Sequence, residues 1–218
     1  MVTKRSPGEI IFDIGNAVFL GILTLIFLYP MWYVIMAAFS DPARFVSHTG
    51  LLWLPEGFSL AGFKMVLRTA SIVTGYGNII LYVITGTALN ILLTSMGAYV
   101  LSRKKLYIRR FLSLAIVFTM YLSGGLIPFY LTVRNLGLYN TRLALILPVA
   151  VNTWNLIVMR TSMSQVPDSL EEAAKIDGAG EVAILFRIAI PLTVTPIITV
   201  GFLYALQYWN DWYLTLMF

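Results

Sequence analysis

An uncharged apolar run from Ala17 to Ser40 constrains the fold of this chain more than any other feature. At a rise of about 1.5 Å per residue, a helix over this run can cross the roughly 30 Å hydrocarbon core of a bilayer. The run is too long for the core of a signal peptide, and no small-residue cleavage site follows it. It therefore predicts a first transmembrane helix, and residues 1–16 are expected to form a cytoplasmic segment before it.

The composition supports the same class of protein. Of 218 residues, 59% are hydrophobic and 11% are charged, with a mean hydropathy of +0.82, whereas a soluble domain carries about 25% charged residues. The apolar runs are long and unbroken instead of alternating, which favours helices over a β-barrel. The fold class is therefore predicted to be all-α, a polytopic helical membrane protein. Because the chain has no cysteine, disulfides and thiolate metal sites are excluded.

About five spans are predicted within one transmembrane domain of residues 17–218. They cover residues 17–40, 78–102, 111–133, 142–160 and 191–210. Ser123, Gly124, Gly125 and Pro128 interrupt the third span, and such interruptions are tolerated only against protein or a water-filled cavity. Small residues in the second span predict close helix packing in lipid; they are Gly86, Ala88, Ser95, Gly97 and Ala98. Residues 60–69 are expected to form a short interfacial helix. The one histidine, His48, is assigned no role.

The basic residues predict the orientation, because cytoplasmic connections carry an excess of Lys and Arg. With a cytoplasmic N-terminus, ten basic residues lie inside: Lys4, Arg5, Arg103, Lys104, Lys105, Arg109, Arg110, Arg160, Lys175 and Arg187. Five lie outside: Arg44, Lys64, Arg68, Arg134 and Arg142. Residues 163–190 are therefore expected to form a cytoplasmic loop. The basic residues flank the spans and form no basic-aromatic surface, which argues against nucleic-acid binding.

That cytoplasmic loop carries an unusual amount of charge and pattern for a membrane protein. Asp168 is followed three residues later by Glu171, a spacing typical of a capping box at a helix start. Gly178 is expected to end this helix, since glycine readily adopts the left-handed conformation found at helix ends. A second amphipathic run, from Glu181 to Ile190, leads to Pro191. The loop is therefore predicted to be a helix, a tight turn and another helix, accessible to a partner protein.

The same loop carries a resemblance to a known family. Its motif residues are Glu172-Ala173-Ala174, Asp177-Gly178-Ala179, Ile188, Ile190-Pro191 and Pro196. They resemble the EAA signature of bacterial ABC importer permeases, and most of all the maltose-permease-like subunits that take up carbohydrates. Ile190 stands where the family usually has leucine, a conservative difference. The similarity continues through SGGLIPFYL, LGLYNTRLALILP and YWNDW, and so covers the chain from about Leu28 onward.

The resemblance implies the type I ABC importer permease fold, in a bacterial inner or plasma membrane. It also implies partners: a second permease subunit in a heterodimer, two ATP-binding cassette subunits, and an extracytoplasmic solute-binding protein. ATP and Mg²⁺ would be bound on the partner ATPase, and no cofactor on this chain. The family usually has six spans, and residues 209–218 are too few to form another. Either the chain is a fragment, which is the favoured expectation, or a sixth helix is absent or supplied otherwise.

In the family the loop is a coupling helix that sits in a groove on the ATP-binding subunit. The residues expected to couple to the ATPase are Leu170, Glu172, Ala173, Ala174, Asp177, Gly178 and Ala179. Glu172 is expected to make a charge contact with the groove, where Ala173 and Ala174 would pack closely. Asp177 either caps the next segment, contacts the partner or is a simple turn residue.

A pathway for a sugar needs aromatic faces for its C–H surfaces and amides or hydroxyls for its OH groups. Side chains of these types cluster in two spans: Asn152, Trp154, Asn155, Tyr204, Gln207, Trp209 and Asn210. They are the candidate pathway residues. The alternative is an interfacial aromatic belt with interhelical hydrogen bonds, which applies most to Trp209 and Trp212.

No catalytic motif is present: the sequence has no GxxxxGK[ST], HExxH or GxSxG. The chain is therefore predicted to be no enzyme and to hold no metal, with ATP hydrolysis on a separate chain. The function predicted is a permease subunit that translocates a sugar or oligosaccharide. The alternatives are an ABC permease for a non-sugar solute, a secondary transporter driven by an ion gradient, or a structural membrane adaptor. Secondary transporters usually place ionisable residues inside their spans, and none lies between the span ends here.

Overall fold

The computed structural model describes residues 6–104, 106–122 and 124–218. Within these ranges the regular structure is helical, and one isolated antiparallel bridge joins Ser40 and Phe58. The chain forms two compact units, Met1–Thr74 and Gly75–Phe218. Four residues used in the predictions above, Lys4, Arg5, Lys105 and Ser123, lie outside the described ranges.

The first unit is built on one long helix, α1, which runs from Pro7 to Ala38. Ser6 starts it with a capping box: its Oγ accepts from the Glu9 N–H at 3.3 Å, and its own N–H donates to the Glu9 carboxylate at 2.9 Å. Helix α1 thus begins ten residues before the predicted 17–40 span. At about 1.5 Å per residue its 32 residues exceed the hydrocarbon thickness, so the helix extends beyond the membrane core.

Two short helices follow in the first unit, α2 (Pro42–Ser47) and α3 (Ala61–Arg68). Helix α3 is the helix expected over residues 60–69. The loop between α2 and α3 is tied back to α1 by the Trp32 indole, which donates to the Trp53 carbonyl at 3.0 Å. His48 lies in this loop, and its Nδ1 is 3.0 Å from the Glu56 carboxylate.

Helix α4 (Ala70–Ser102) is the longest element and enters the second unit. The remaining α-helices are α5 (Arg109–Thr119), α6 (Leu126–Asn135), α7 (Thr153–Met163), α8 (Asp168–Ile176), α9 (Glu181–Ile184), α10 (Ile190–Leu192), α11 (Val194–Trp209) and α12 (Tyr213–Met217). A π-helical turn, Leu185–Ala189, joins α9 to α10. Two 3-10 turns, Arg142–Leu145 and Leu147–Val149, precede α7.

Three of the five predicted spans are broken in the structure. Among the described residues, α1 and α4 are each long and apolar enough to cross a membrane, and two bent helix pairs could raise the number of spans to four. The pair Arg142–Val149 and α7 bends by 52°, and the pair Glu181–Leu192 and α11 bends by 88°. The predicted 111–133 span is divided into α5 and α6, and Gly125 between them has a φ of +81°.

The apolar core of the second unit lies where α4, α7, the α9–α10 segment and α11 meet. Its fully buried members include Ala98, Met159, Met163, Ile184 and Val200. Two of the small residues expected to allow close packing do so: Gly86 faces the ring of Tyr208, and Gly97 faces Leu156. Gly201 of α11 makes a further close approach, to Ile91 of α4. These glycines let the helix backbones approach closely, which is how helices associate in lipid.

Candidate coupling and translocation sites

The turn after α8 has the backbone geometry predicted from Gly178. Gly178 has a φ of +84°, and its N–H donates to the Lys175 carbonyl at 3.1 Å. The next N–H, of Ala179, donates to the Ala174 carbonyl at 2.9 Å. This pair of bonds is a Schellman motif, which satisfies carbonyls at the helix end. The predicted helix, turn and helix are therefore confirmed, with α8 and α9 as the two helices.

The start of α8 differs from the prediction. Pro167 is the N-cap residue and Asp168 is the first helical residue, so the expected capping box between Asp168 and Glu171 is wrong. Both carboxylates instead reach the residues that follow α4. Lys104 Nζ is 2.9 Å from Asp168 Oδ2, and the Glu171 carboxylate forms an ion pair with Arg103. The two carboxylates therefore bind cations from a distant part of the same chain and do not cap the helix. Both acidic groups still lie in the first turn, where the helix dipole favours them.

Further contacts extend this arrangement into an ionic cluster, which we define as Tyr99, Arg103, Lys104, Asp168, Glu171, Lys175 and Glu181. The Arg103 guanidinium carbon lies 4.4 Å from the centre of the Tyr99 ring, a cation–π distance. The Tyr99 hydroxyl donates to Glu181 Oε2 at 2.8 Å, and Lys175 pairs with the other oxygen of that carboxylate. The cluster lines a cavity of 380 Å³.

Arg103 is the most enclosed cation of the cluster, with a side chain 17% exposed, and its partner Glu171 is 8% exposed. Desolvation by burial lowers the pKa of Arg103 below its ordinary value, and the electrostatic effects of Tyr99, Asp168 and Glu181 oppose that shift. An arginine starts from so high a pKa that it stays charged at neutral pH. The pair is therefore a partly buried ion pair, with a half-buried guanidinium and a buried carboxylate, between α8 and the residue that follows α4.

The residues predicted to couple to an ATPase do not all face outward. Leu170, Glu172, Ala173, Asp177 and Gly178 are exposed. In contrast, Ala174 and Ala179 are half-buried and pack against the apolar core of their own unit. Ile176, which sequence reasoning missed, is 87% exposed. Its spacing was the available signal, because Leu170, Ala173 and Ile176 are three residues apart and so share one face of a helix.

The predicted pathway residues divide into two groups. Three of them, Asn152, Trp154 and Gln207, line a cavity of 390 Å³. The cavity lies where the 3-10 turns give way to α7, and Met120 at the end of α5 also lines it. Non-helical backbone at membrane depth is tolerated only where it is buried in protein or lines a cavity. The end of α5 and the 3-10 turns before α7 both lie at this cavity, which supports a pathway here. Trp154 contributes an indole that is 61% exposed.

The other four predicted pathway residues make contacts within the chain. Tyr204 is fully buried, and its hydroxyl accepts from the Asn152 N–H at 3.0 Å and lies 2.8 Å from Thr94 Oγ1. Asn155 is buried, and its backbone N–H donates to the Asn152 side chain, which caps α7.

Trp209 and Asn210 end α11 and do not line the cavity. The Trp209 ring is 6.4 Å from that of Tyr76, and the Asn210 amide donates to the Leu206 carbonyl at 2.8 Å. Sequence reasoning also missed a polar contact between α4 and α11: the Tyr208 hydroxyl lies 3.2 Å from the Asn90 side chain.

Broken apolar spans, an open cavity that carries two amides and an indole, and an exposed helix that ends in a Schellman turn are together typical of a helical membrane transport subunit. The chain belongs to the family described as the binding-protein-dependent transport system inner membrane component, whose model matches residues 91–218. It is thus a permease subunit of an ATP-driven ABC importer, a membrane-embedded transport component and not an enzyme. The predicted family, fold class and membrane location are confirmed, and the secondary-transporter and adaptor alternatives fall away.

Individual relatives agree with this assignment. Protein LplC of Bacillus subtilis is 37% identical over 208 residues, covering 95% of this chain and 70% of the relative. The polygalacturonan/rhamnogalacturonan transport system permease protein YtcP of the same organism is 38% identical, covering 95% and 72%. A solved bacterial ABC transporter involved in import of the acidic polysaccharide alginate matches with a TM-score of 0.91 at 35% identity, covering 96% of this chain and 75% of that chain.

Proposed function

We propose that this subunit forms part of the path by which a saccharide, delivered by an extracytoplasmic binding protein, crosses the membrane. The observation that carries the proposal is the cavity lined by Asn152, Trp154 and Gln207. An exposed indole suits the C–H face of a sugar ring, and two amides suit its hydroxyls. The lining holds no charged side chain among the described residues.

The relatives support the same substrate class. Besides YtcP and the alginate importer, a sulfoquinovosyl glycerol transport system permease protein, SmoH of Agrobacterium fabrum, is 29% identical over 98% of this chain. All three names refer to saccharides or sugar derivatives that bear acidic groups. Acidic oligosaccharides are therefore the first substrates to test.

The substrate test uses the complete importer, purified with its partner subunits and reconstituted in nanodiscs. ATP hydrolysis is measured with the binding protein and, in turn, an oligogalacturonide, a neutral xylo-oligosaccharide and a tripeptide. Stimulation by either saccharide supports the proposal, and a larger response to the oligogalacturonide would identify an acidic substrate. Stimulation by the tripeptide alone would contradict it and favour a non-sugar solute.

The exposed face of α8, Leu170, Ala173 and Ile176, is proposed to dock on an ATP-binding subunit, with Glu172 beside it. ATP and Mg²⁺ would be bound on two such subunits, and a second permease subunit would complete a heterodimer. Closure of the ATPases would displace α8 and switch the spans between inward- and outward-open states. The Schellman turn at Gly178 fixes how α8 meets α9, which suits a segment that must transmit a displacement.

Docking is tested with single cysteines, since the chain has none of its own. Ala173→Cys or Ile176→Cys should cross-link to a lysine of an ATP-binding subunit through a short heterobifunctional thiol-to-amine reagent. Ala174→Cys is the matched control, because Ala174 is half-buried against this chain's core and should cross-link far less. If mass spectrometry finds no ATPase attached at either exposed position, the docking proposal is wrong.

A further inference from the structure

The ionic cluster joins α8 to the cytoplasmic end of α4, although 60 or more residues separate the two in sequence. Arg103 pairs with Glu171, both largely buried, and the adjacent Lys104 lies 2.9 Å from Asp168. Arg103 NH2 also approaches the Met163 carbonyl at 3.5 Å, at the end of α7. These contacts bind the first turn of α8 to the residues that directly follow α4.

Helix α9, which follows α8, is also held to the end of α4. The Tyr99 hydroxyl, on the last turn of α4, donates to Glu181 at the start of α9. Lys175, on the last turn of α8, pairs with the same carboxylate. Because α8 and α9 are both held to α4, a displacement of α8 by a partner acts on α4 as well.

Farther from the ionic cluster, α4 is connected to the cavity lining through Tyr204 of α11. Thr94 lies 2.8 Å from the Tyr204 hydroxyl, which in turn accepts from the Asn152 N–H in the cavity lining. One turn farther along α4, Asn90 contacts Tyr208. A chain of direct contacts thus runs from α8 through α4 to the backbone of the cavity wall.

We propose that α4 is the lever that carries the ATP-driven displacement to the cavity, and that Arg103 and Glu171 are the positioning residues that fasten it to α8. The inference rests on the proposed docking of α8 on an ATPase. The pair acts as a fixed joint: separating the half-buried Arg103 from the buried Glu171 carboxylate leaves two poorly solvated charges without partners, so the pair stays closed through the cycle. The exposed pair Lys104–Asp168 contributes much less, since surface pairs are weak.

The first test removes the Arg103–Glu171 ion pair and measures how accessible the cavity is to a labelling reagent. Val151, which lines the cavity, is replaced by cysteine as a reporter, and its labelling by a membrane-impermeant maleimide is measured with and without ATP and vanadate. In the complete importer with the native pair, ATP should change the labelling rate. No change there would contradict the proposed function itself, separately from the lever.

Arg103→Met combined with Glu171→Leu replaces the ion pair by apolar side chains, which avoids leaving a lone buried charge. We expect ATP hydrolysis to continue while the ATP-dependent change in labelling falls about fivefold or more, the size of a typical coupling between sites. The charge-swapped variant, Arg103→Glu with Glu171→Arg, should restore it. Lys104→Met with Asp168→Leu removes the exposed pair of the same cluster and should lower the ATP-dependent change in labelling much less, because surface ion pairs are weak. An unchanged response in the apolar variant would overturn the proposal.

A second test does not depend on how well those variants assemble. Lys104→Cys and Asp168→Cys are introduced together and joined by a short bifunctional methanethiosulfonate reagent, which fixes α8 to the end of α4. If the two elements move as one body, the cross-linked importer keeps the ATP hydrolysis that its binding protein stimulates. The native chain treated with the same reagent controls for partner cysteines. Loss of stimulation on cross-linking, restored by reduction, would show that α8 and α4 separate during the cycle and would overturn the proposal.

Discussion

The ring of Tyr208 in α11 occupies the space beside Gly86 in α4 where any other residue would carry a Cβ. A Cβ built on Gly86 would lie 2.4 Å from Tyr208 Cζ, far inside normal contact distance. The same tyrosine hydroxyl lies 3.2 Å from Asn90, so the ring is held from two sides. Glycine at this position is therefore what allows α4 and α11 to approach each other.

Gly86→Ala should accordingly loosen the contact between α4 and α11. Overpacking of a tight contact costs about 1–3 kcal/mol, so the thermal unfolding of the purified importer should shift to lower temperature. Gly77→Ala, in the same helix, is the matched control, because nothing lies within 4 Å of its Cβ position. Equal unfolding temperatures for the two variants would show that the Tyr208 ring can move aside.

The turn at Gly178 allows a second prediction. With a φ of +84°, Gly178→Ala puts a side chain in the left-handed region, which costs an L-residue about 1–2 kcal/mol. We expect the turn to distort and the ATP hydrolysis stimulated by the binding protein to fall. Gly178→Asn should retain more activity, because asparagine tolerates this conformation better than alanine. Gly180→Ala is the control, since its φ is −75° and its Cβ position is open; a loss of equal size there would contradict the turn explanation.

Local backbone signals in the sequence predicted local structure well. Gly178 predicted the end of α8, and the glycines near residue 124 predicted the break between α5 and α6. Both predictions depend only on the backbone conformations that a residue and its neighbours can adopt, so they could be made without knowing the fold. Ser6 and Glu9 carry an equally local capping signal for α1, although the polar residues around them suggested a later helix start.

Long-range partners could not be read in the same way. Asp168 and Glu171 have capping-box spacing, yet both carboxylates pair with cations more than 60 residues away. A local cap and a distant ion pair compete for the same oxygens, and only the fold decides which partner is within reach. The same holds for Tyr204: the sequence offered it as a candidate pathway residue, and only the fold shows that its hydroxyl contacts Thr94 and the Asn152 N–H.

The Tyr204 hydroxyl supports a prediction about the contacts that join α11 to α4 and to the start of α7. Tyr204→Phe removes a buried group that contacts both α4 and the start of α7, and should destabilise the importer by ~1 kcal/mol. Because Thr94→Val removes the other side of the same contact, the double variant should cost less than the sum of the two single changes. A double-mutant cycle on thermal unfolding measures this interaction. Strict additivity would mean that the 2.8 Å contact contributes nothing.

Two tryptophans that were both candidate pathway residues differ in their position relative to the cavity. Trp154 lines the cavity, whereas Trp209 packs near Tyr76 at the end of α11. If the saccharide stacks on the indole, Trp154→Ala should lower transport in proteoliposomes roughly tenfold, since loss of ~1.4 kcal/mol of binding corresponds to that factor. Trp154→Phe should keep much of the rate, because an aromatic face remains. Trp209→Ala, a matched loss of one exposed indole, should transport at close to the native rate. The reverse order of the two alanine variants would place the path along α11 and away from the break before α7.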